Sequence, residues 1–162
     1  MLGQGITISC SHCGIQYELD EYGYLKAQNG ETKYEHIPDW YNWERDCVRK
    51  EIEDNTYRLK VPVDICMMVN TKSIYRVGEG ILEHTREGFH LTGCEGQLDY
   101  RQKPLSSYSL YSDYYWYEIG DVICVGDTNV LYYCFPKKCG DIVAKTRLAT
   151  EEIYKMAKEN KK

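Results

Sequence analysis

From Thr56 to Phe135 short apolar segments alternate with turn residues, and this pattern restricts the fold more than any other feature of the sequence. Gly and Pro separate most of the segments, and Arg86-Glu87-Gly88 has the composition of a hairpin turn. The segments with the length and alternation of β-strands are residues 57–61, 63–69, 81–85, 89–92, 97–101, 114–118, 122–125, 130–135 and 142–146. The pattern predicts an antiparallel sheet or a small barrel.

Two helices are predicted around the strand region. Residues 36–55 place Pro38 at a first helical position and bring Trp40 and Trp43 onto one face, where we expect both indoles to be buried. A second helix begins with Thr150 as its N-cap and continues to the C-terminus with apolar side chains at helical spacing. Residues 6–9 and 15–19 form two further short strands before the first helix.

Composition limits the class of protein. The 162 residues, 43% of them hydrophobic, suffice for one sizeable core plus a small appendage. A net charge of −5 gives no long-range attraction to nucleic acid, so none is expected as a partner. No apolar run approaches the ~20 residues of a membrane span, and no signal peptide is recognisable at the start. We therefore expect a cytoplasmic chain.

Cys10 and Cys13, followed by Gly14, have the spacing of half a zinc knuckle. Structural zinc requires four ligands, and the second pair of a zinc ribbon usually lies one hairpin away. Residues 3–9 resemble a glycine turn and the strand that returns from such a hairpin. We therefore expect a partial zinc site, with its remaining ligands upstream of Met1.

Other residues could complete a metal site. His12 lies between the two knuckle cysteines, although a residue in that position usually points away from the metal. Cys134 and Cys139 have a spacing that also permits chelation, but Cys134 lies in a strand segment and is better explained as a buried thiol. These alternatives stay open at the level of sequence.

The fold class predicted from these elements is α+β with mostly antiparallel strands. Residues 1–35 form a partial zinc-ribbon-like segment, residues 36–55 a bridging helix, and residues 56–162 a small barrel with a C-terminal helix. The third part resembles the pleckstrin-homology-like barrel, and the hairpin of residues 80–93 is similar to the opening hairpin of GRAM domains. A β-sandwich or another small barrel is the structural alternative. Fold alone does not transfer function.

A second resemblance is to the C-terminal extension of bacterial 1-acyl-sn-glycerol-3-phosphate acyltransferase-like proteins. It rests on the order of residues 10–14 (Cys-Ser-His-Cys-Gly), 30–32 (Gly-Glu-Thr) and 36–45 (His-Ile-Pro-Asp-Trp-Tyr-Asn-Trp-Glu-Arg). The resemblance implies a non-catalytic accessory module in phospholipid biosynthesis. Its partners would be an upstream catalytic domain of the same protein and membrane lipid, and it would reach the membrane through the parent protein.

The residues themselves give no catalytic constellation. That acyltransferase family uses His-x4-Asp, in which the His acts as general base. The residues five positions beyond His12, His36, His84 and His90 are Tyr17, Tyr41, Phe89 and Glu95. Nucleophile-elbow, P-loop, metalloprotease and zinc-deaminase motifs are also missing from the sequence. We expect no enzymatic activity, with a Cys–His nucleophile built from a thiol such as Cys94 as the alternative.

The Tyr-rich stretch 103–117 is the candidate binding segment. Tyr108, Tyr111 and Asp113 combine aromatic faces with a carboxylate and are the predicted contact residues. The residues from Tyr114 to Ile119 are expected to alternate between the two faces of a strand. This stretch supports the alternative function, a stand-alone module that recognises carbohydrate or protein.

Overall fold

The structure is a computed structural model that describes residues 2–11, 13–70, 73–116, 118–137 and 142–161. The chain divides into two compact units, Met1–Cys47 and Val48–Lys162. The boundary lies within helix α1 (Ile37–Glu53), which occupies the region predicted as a bridging helix. Neither of the described helices is long and apolar enough to cross a membrane.

The first unit contains a four-stranded antiparallel sheet in the order β1-β2-β3-β4. Its strands are β1 (Leu2–Gln4), β2 (Thr7–Ser9), β3 (Gln16–Leu19) and β4 (Leu25–Ala27). Tyr17, Leu25 and Trp40 form its buried core, with the rings of Tyr17 and Trp40 centred 5.0 Å apart. The Tyr17 hydroxyl accepts a hydrogen bond from the backbone N–H of Lys33 at 3.1 Å, so this buried phenol is satisfied.

The two tryptophans of α1 differ in burial. Trp40 is 2% exposed, as predicted, but Trp43 is 43% exposed, so the prediction for Trp43 was wrong. The strands of the first unit have only three or four residues each, and so narrow a sheet covers one strip of the helix. Trp43 lies beside that strip, where its ring is 5.9 Å from Tyr34 and 5.3 Å from the Lys33 ammonium.

The second unit contains a seven-stranded antiparallel sheet and helix α2 (Ile142–Glu159). Its strands are β5 (Leu59–Asn70), β6 (Ser73–Thr85), β7 (Gly88–Gly93), β8 (Leu98–Gln102), β9 (Tyr111–Trp116), β10 (Gly120–Gly126) and β11 (Leu131–Pro136). Their order is β8-β7-β6-β5-β11-β10-β9. The predicted α+β class, with mostly antiparallel strands and a C-terminal helix, is confirmed.

The seven strands do not close into a hydrogen-bonded barrel within the described ranges, because β8 and β9 are the two edges of the sheet. The chain leaves β8 through Pro104, which has no N–H, and a short 3-10 turn (Pro104–Ser106) follows. Side-chain contacts instead connect β8, at one edge of the sheet, with β10 and β11 near the other edge. Gln102 Oε1 accepts a hydrogen bond from the Gly126 N–H at 2.9 Å, and the rings of Tyr100 and Tyr132 lie 5.3 Å apart. The sheet is therefore curled rather than closed.

Helix α2 supplies the remaining wall of the core by packing against β9, β10 and the 3-10 turn. The buried cluster comprises Val61, Val63, Ile65, Leu82, Phe89, Leu91, Leu110, Ile123, Val125, Cys134 and Val143. The concave face of the sheet is thus filled by aliphatic side chains from both halves and from the helix, which is the main source of stability for such a unit.

Residues 142–146 are the first turn of α2 and not the predicted strand, and Thr150 lies inside the helix rather than at its N-cap. The β-branched residues in this segment have a strand preference that tertiary packing overrides. Their hydroxyls are satisfied within the helix, since Thr146 Oγ1 donates to the Ile142 carbonyl at 2.7 Å and Thr150 Oγ1 to the Thr146 carbonyl at 2.8 Å. Val143 and Thr146 are fully buried.

Candidate functional site

A groove of about 980 Å³ opens at one end of the seven-stranded sheet. Three segments of the second unit form it: the β6–β7 turn at residues 85–88, residues 103–106 after β8, and residues 153–161 at the end of α2. The β6–β7 hairpin and the end of α2 meet here, since both contribute residues to the lining of the groove. A concave site of this volume is large enough for a small molecule or for part of a lipid.

The floor of the groove is apolar. Phe89 and Ile153 are buried, while Leu105, Met156 and Ala157 are half-buried and contact the open volume. Ile153, Met156 and Ala157 face the groove together because residues three and four positions apart lie on the same side of a helix. A ligand that covered this floor would remove apolar surface from water, which is favourable by about 25 cal/mol per Å².

Buried polar side chains support the floor from beneath. The Phe89 ring stacks on His84 with 3.8 Å between ring centres, and a hydrogen bond of 3.0 Å joins His84 Nδ1 to the Tyr57 hydroxyl. Burial lowers the pKa of His84 to about 3, so its imidazole is neutral at physiological pH. Burial also raises the pKa of Tyr57, which keeps the phenol protonated. The floor is therefore held in place by a neutral, hydrogen-bonded pair.

The rim of the groove carries more positive than negative charge. Its cations are Arg86, Arg101, Lys103 and Lys161, and its carboxylates are Glu83 and Glu87. Glu83 is already paired with Lys60 Nζ at 2.6 Å, and a hydrogen bond from Lys60 lowers the pKa of Glu83. Arg101 Nε lies 3.7 Å from Asp99 Oδ1.

Three of the rim cations are uncompensated. In the part of the chain that the structure describes, Arg86, Lys103 and Lys161 form no ion pair, and all three are exposed. They approach the groove from different elements, namely the β6–β7 turn, the segment after β8 and the end of α2. A chain with a net charge of −5 thus has a local positive surface at this groove.

His90 is the titratable group with a defined carboxylate partner at the groove. Its Nε2 lies 2.9 Å from Asp99 Oδ1, on the neighbouring strand β8. Glu95, which lies five positions beyond His90 in the sequence, is in the turn after β7. Within the described ranges, the hydrogen-bonded partner of His90 is Asp99, and no Ser, Thr or Cys side chain is hydrogen-bonded to it. The expectation that the chain is not an enzyme stays a prediction.

Cys10 and Cys13 lie in the turn between β2 and β3. The Gly14 N–H donates to the Cys10 carbonyl and the Cys10 N–H to the Ile15 carbonyl, both at 2.9 Å, and Gly14 takes a φ of +73° that suits glycine. Cys13 is exposed and Cys10 is half-buried. Among the residues described, no group of three or more His, Cys, Asp or Glu side chains could hold a metal ion. Two thiols are half of the four ligands that structural zinc requires, so a partial zinc site at Cys10 and Cys13 stays a prediction.

The alternative metal ligands do not add to the knuckle. His12 and Cys139 lie outside the described residues. Cys134 is fully buried in β11, and burial raises the pKa of its thiol, which disfavours the thiolate that a metal requires. Cys94 is half-buried in the turn after β7. No hydrogen bond between Cys94 and a histidine is present in the described structure.

The three predicted contact residues of the Tyr-rich segment divide into two groups. Tyr108 is exposed and its ring meets Tyr154 of α2 edge-on, with 5.3 Å between ring centres. Tyr111 and Asp113 lie on the opposite, convex face of the sheet, at positions paired with Cys124 and Val122 of β10. The segment therefore does not form a single loop site that brings all three residues together.

A β-bulge breaks the predicted alternation of the Tyr-rich strand. Tyr114 and Tyr115 together oppose Asp121, because the register moves from Trp116↔Gly120 to Asp113↔Val122. Tyr115 has a φ of +51°, and its N–H donates to Asp121 Oδ1 at 3.0 Å. Trp116 is consequently buried on the convex face, where it stacks on Tyr133 at 4.7 Å. Tyr117 lies outside the described residues.

Sequence reasoning missed the groove. The C-terminal helix was predicted with apolar side chains at helical spacing, but no open groove was predicted beside them. Arg86 was predicted as part of a hairpin turn, and Lys103 as the first residue of the Tyr-rich candidate binding segment. No local signal in the sequence indicated the groove, because Arg86, Lys103 and Lys161 lie far apart along the chain.

No family model matches the chain, and no curated protein is significantly similar to it.

Proposed function

We propose that the chain is a non-catalytic module that binds the anionic phospholipid of a membrane in its groove. The observation that carries the proposal is the set of three exposed cations without ion pairs, Arg86, Lys103 and Lys161, around an apolar floor. Following the resemblance to acyltransferase extensions, the module would hold an attached lipid acyltransferase domain at its substrate membrane.

The chemistry of the groove matches an amphiphile better than a fully polar anion. Leu105 and Met156 expose part of their apolar surface into the groove, where a glycerol backbone or the start of an acyl chain would cover it. Guanidinium and ammonium groups bind phosphate oxygens through charge-assisted hydrogen bonds. A phosphate at the rim with hydrocarbon on the floor uses both properties at once.

The local charge also matters for binding to a surface. A basic residue near an anionic membrane contributes about 1 kcal/mol, so three cations on one groove contribute about 3 kcal/mol. The chain as a whole is acidic, with a net charge of −5, so its surface outside the groove is repelled by the same membrane. Binding through the groove would therefore orient the module with residues 86, 103 and 161 toward the lipid.

Vesicle co-sedimentation tests the proposal with the full chain. The probes are phosphatidylcholine vesicles with and without phosphatidic acid. The groove variant is Arg86→Gln/Lys103→Gln/Lys161→Gln. The matched control is Lys26→Gln/Lys50→Gln/Lys158→Gln, which removes the same charge from exposed lysines that do not line the groove. Thermal unfolding of both variants establishes that the fold is retained.

The wild-type chain and the control should bind vesicles that contain phosphatidic acid and not pure phosphatidylcholine. The groove variant should need at least about tenfold more lipid for half-maximal binding. This is a lower bound, because three lost cation contacts of about 1 kcal/mol each would weaken binding by more than about tenfold. An equal loss in the control would show that general charge and not the groove determines binding. Binding that does not depend on phosphatidic acid would refute the role of the cations.

A further inference from the structure

The hairpin formed by β9 and β10 presents side chains that the lipid groove does not use. Tyr114, Tyr115 and Ile119 are exposed around its turn, and Tyr115 is 70% exposed. Asp113 and Glu118 are exposed in the same hairpin. Aromatic rings next to carboxylates on one hairpin are unlike the basic groove at the end of α2, and they indicate a separate contact surface.

This surface has an uncompensated negative charge. The sequence from residue 104 to residue 136 contains no Lys, Arg or His. Within the described part of the chain, Asp113, Glu118 and Asp121 form no ion pair with a cation from elsewhere in the fold. Asp113 also lies close enough to the Cys124 thiol to act on it, since burial and then this carboxylate raise the pKa of Cys124 to about 12.

The hairpin is held in a defined conformation. The bulge places Tyr115 at a positive φ that is unfavourable for a bulky residue, and its N–H donates to Asp121 Oδ1 at 3.0 Å. The turn is closed by a hydrogen bond of 3.1 Å from the Glu118 N–H to the Tyr115 carbonyl. Beneath it, Trp116 stacks on Tyr133 at 4.7 Å. A surface fixed in this way loses little conformational entropy when it binds.

We propose that the β9–β10 hairpin binds a Lys- and Arg-rich segment of a partner protein. Charge complementarity selects this occupant: Asp113 and Glu118 would pair with the cations, and the exposed tyrosine rings would receive guanidinium or ammonium groups on their faces. An uncharged carbohydrate would use the rings but would leave the carboxylates without a counter-charge. Anionic membranes are repelled from this surface, so the site is independent of the lipid groove.

Fluorescence anisotropy with labelled peptides tests the proposal on the full chain. The probe is a peptide of alternating Arg and Gly, and the comparison peptide replaces each Arg by Gln. The hairpin variant is Asp113→Asn/Tyr114→Ser/Glu118→Gln, which changes one of the exposed tyrosines and both exposed carboxylates. Its matched control is Tyr75→Ser/Asp54→Asn/Glu159→Gln, which makes the same chemical changes at exposed residues outside the hairpin.

We expect the Arg peptide and not the Gln peptide to bind, with affinity falling as salt is added. The hairpin variant should weaken binding by about tenfold, which corresponds to the loss of one to two exposed cation contacts, and the control should retain the wild-type affinity. Absence of Arg-peptide binding, or equal loss in both variants, would overturn the proposal. Binding of a neutral oligosaccharide that disappears only in the hairpin variant would assign the surface to carbohydrate and also overturn it.

Discussion

Replacing each tryptophan of α1 by alanine should give unequal losses of stability. Trp40 is 2% exposed and packs against Tyr17 and Tyr34, with ring centres 5.0 and 5.5 Å away. A fully buried indole covers about 150–250 Å², and truncation of such a residue in a core costs about 3–5 kcal/mol. Trp43 is 43% exposed, so a little over half of its ring is covered. Trp43→Ala should cost about 1–2 kcal/mol.

The two substitutions control for each other. Both change Trp to Ala within the same helix, so the gain in helix propensity is the same and cancels in the comparison. The assay is equilibrium urea unfolding of Trp40→Ala and Trp43→Ala followed by far-ultraviolet circular dichroism. The double variant keeps Trp116 as its one remaining tryptophan, because the chain has three. Its fluorescence then reports unfolding of the second unit.

We expect a difference of about 2 kcal/mol in the free energy of unfolding between the variants, with Trp40→Ala the less stable. Equal losses would show that Trp43 is enclosed as deeply as Trp40. An unchanged unfolding midpoint for Trp40→Ala would mean that the core of the first unit does not depend on this indole, and it would refute the packing argument.

Three further predictions concern a titration, a backbone conformation and the metal. Burial lowers the pKa of His84 to about 3, so below about pH 6.5 the unfolded chain binds the extra proton and stability falls as pH falls. In urea titrations at a series of pH values, the free energy of unfolding should decline more steeply with falling pH than in His84→Gln, by up to about 1.4 kcal/mol per pH unit. Parallel curves for the two proteins would contradict this assignment. Gly88→Ala should destabilise the chain by about 2–4 kcal/mol in thermal unfolding, because the new Cβ would lie 2.1 Å from the Gln102 carbonyl oxygen at a φ of +105°. Gly96→Ala, at a φ of +85° with open space around it, is the control and should cost less. Elemental analysis after dialysis against a chelator should find well under one zinc per chain, because the two cysteines of the knuckle are only half of a four-ligand site. A full equivalent of zinc in the wild-type chain that is lost in Cys13→Ser would show that other ligands complete the site.

Much of the strand region could be predicted from sequence because its information is local. The predicted segments 57–61 and 63–69 nevertheless form one strand, β5, and residues 73–80 of β6 were not predicted as a strand. Alternation and Gly or Pro turns mark the strands, and the turn at residues 86–87 lies where the sequence placed it. The start of α2 could not be predicted in the same way, since residues 142–146 have the β-branched composition of a strand. Val143 and Thr146 are buried in the second unit, and this tertiary burial, which overrides the local preference, is not visible in the local sequence. Nor does local sequence reveal the bulge at Tyr115, which depends on a hydrogen bond from its N–H to Asp121 across the hairpin.

The same distinction explains why one proposed site was visible in the sequence and the other was not. The acidic hairpin surface lies within residues 111–121, so its aromatic and acidic composition is apparent in a single stretch. The groove takes its cations from residues 86, 103 and 161, each of which is unremarkable among its neighbours. They become a site only when the β6–β7 turn, the exit from β8 and the end of α2 meet at one end of the curled sheet. Each site carries a charge opposite to that of its probe, so added salt should weaken both interactions. The two sites also differ in sign, so a probe of reversed charge should bind to the other site. A chain that bound anionic vesicles and basic peptides through a single surface would contradict this division.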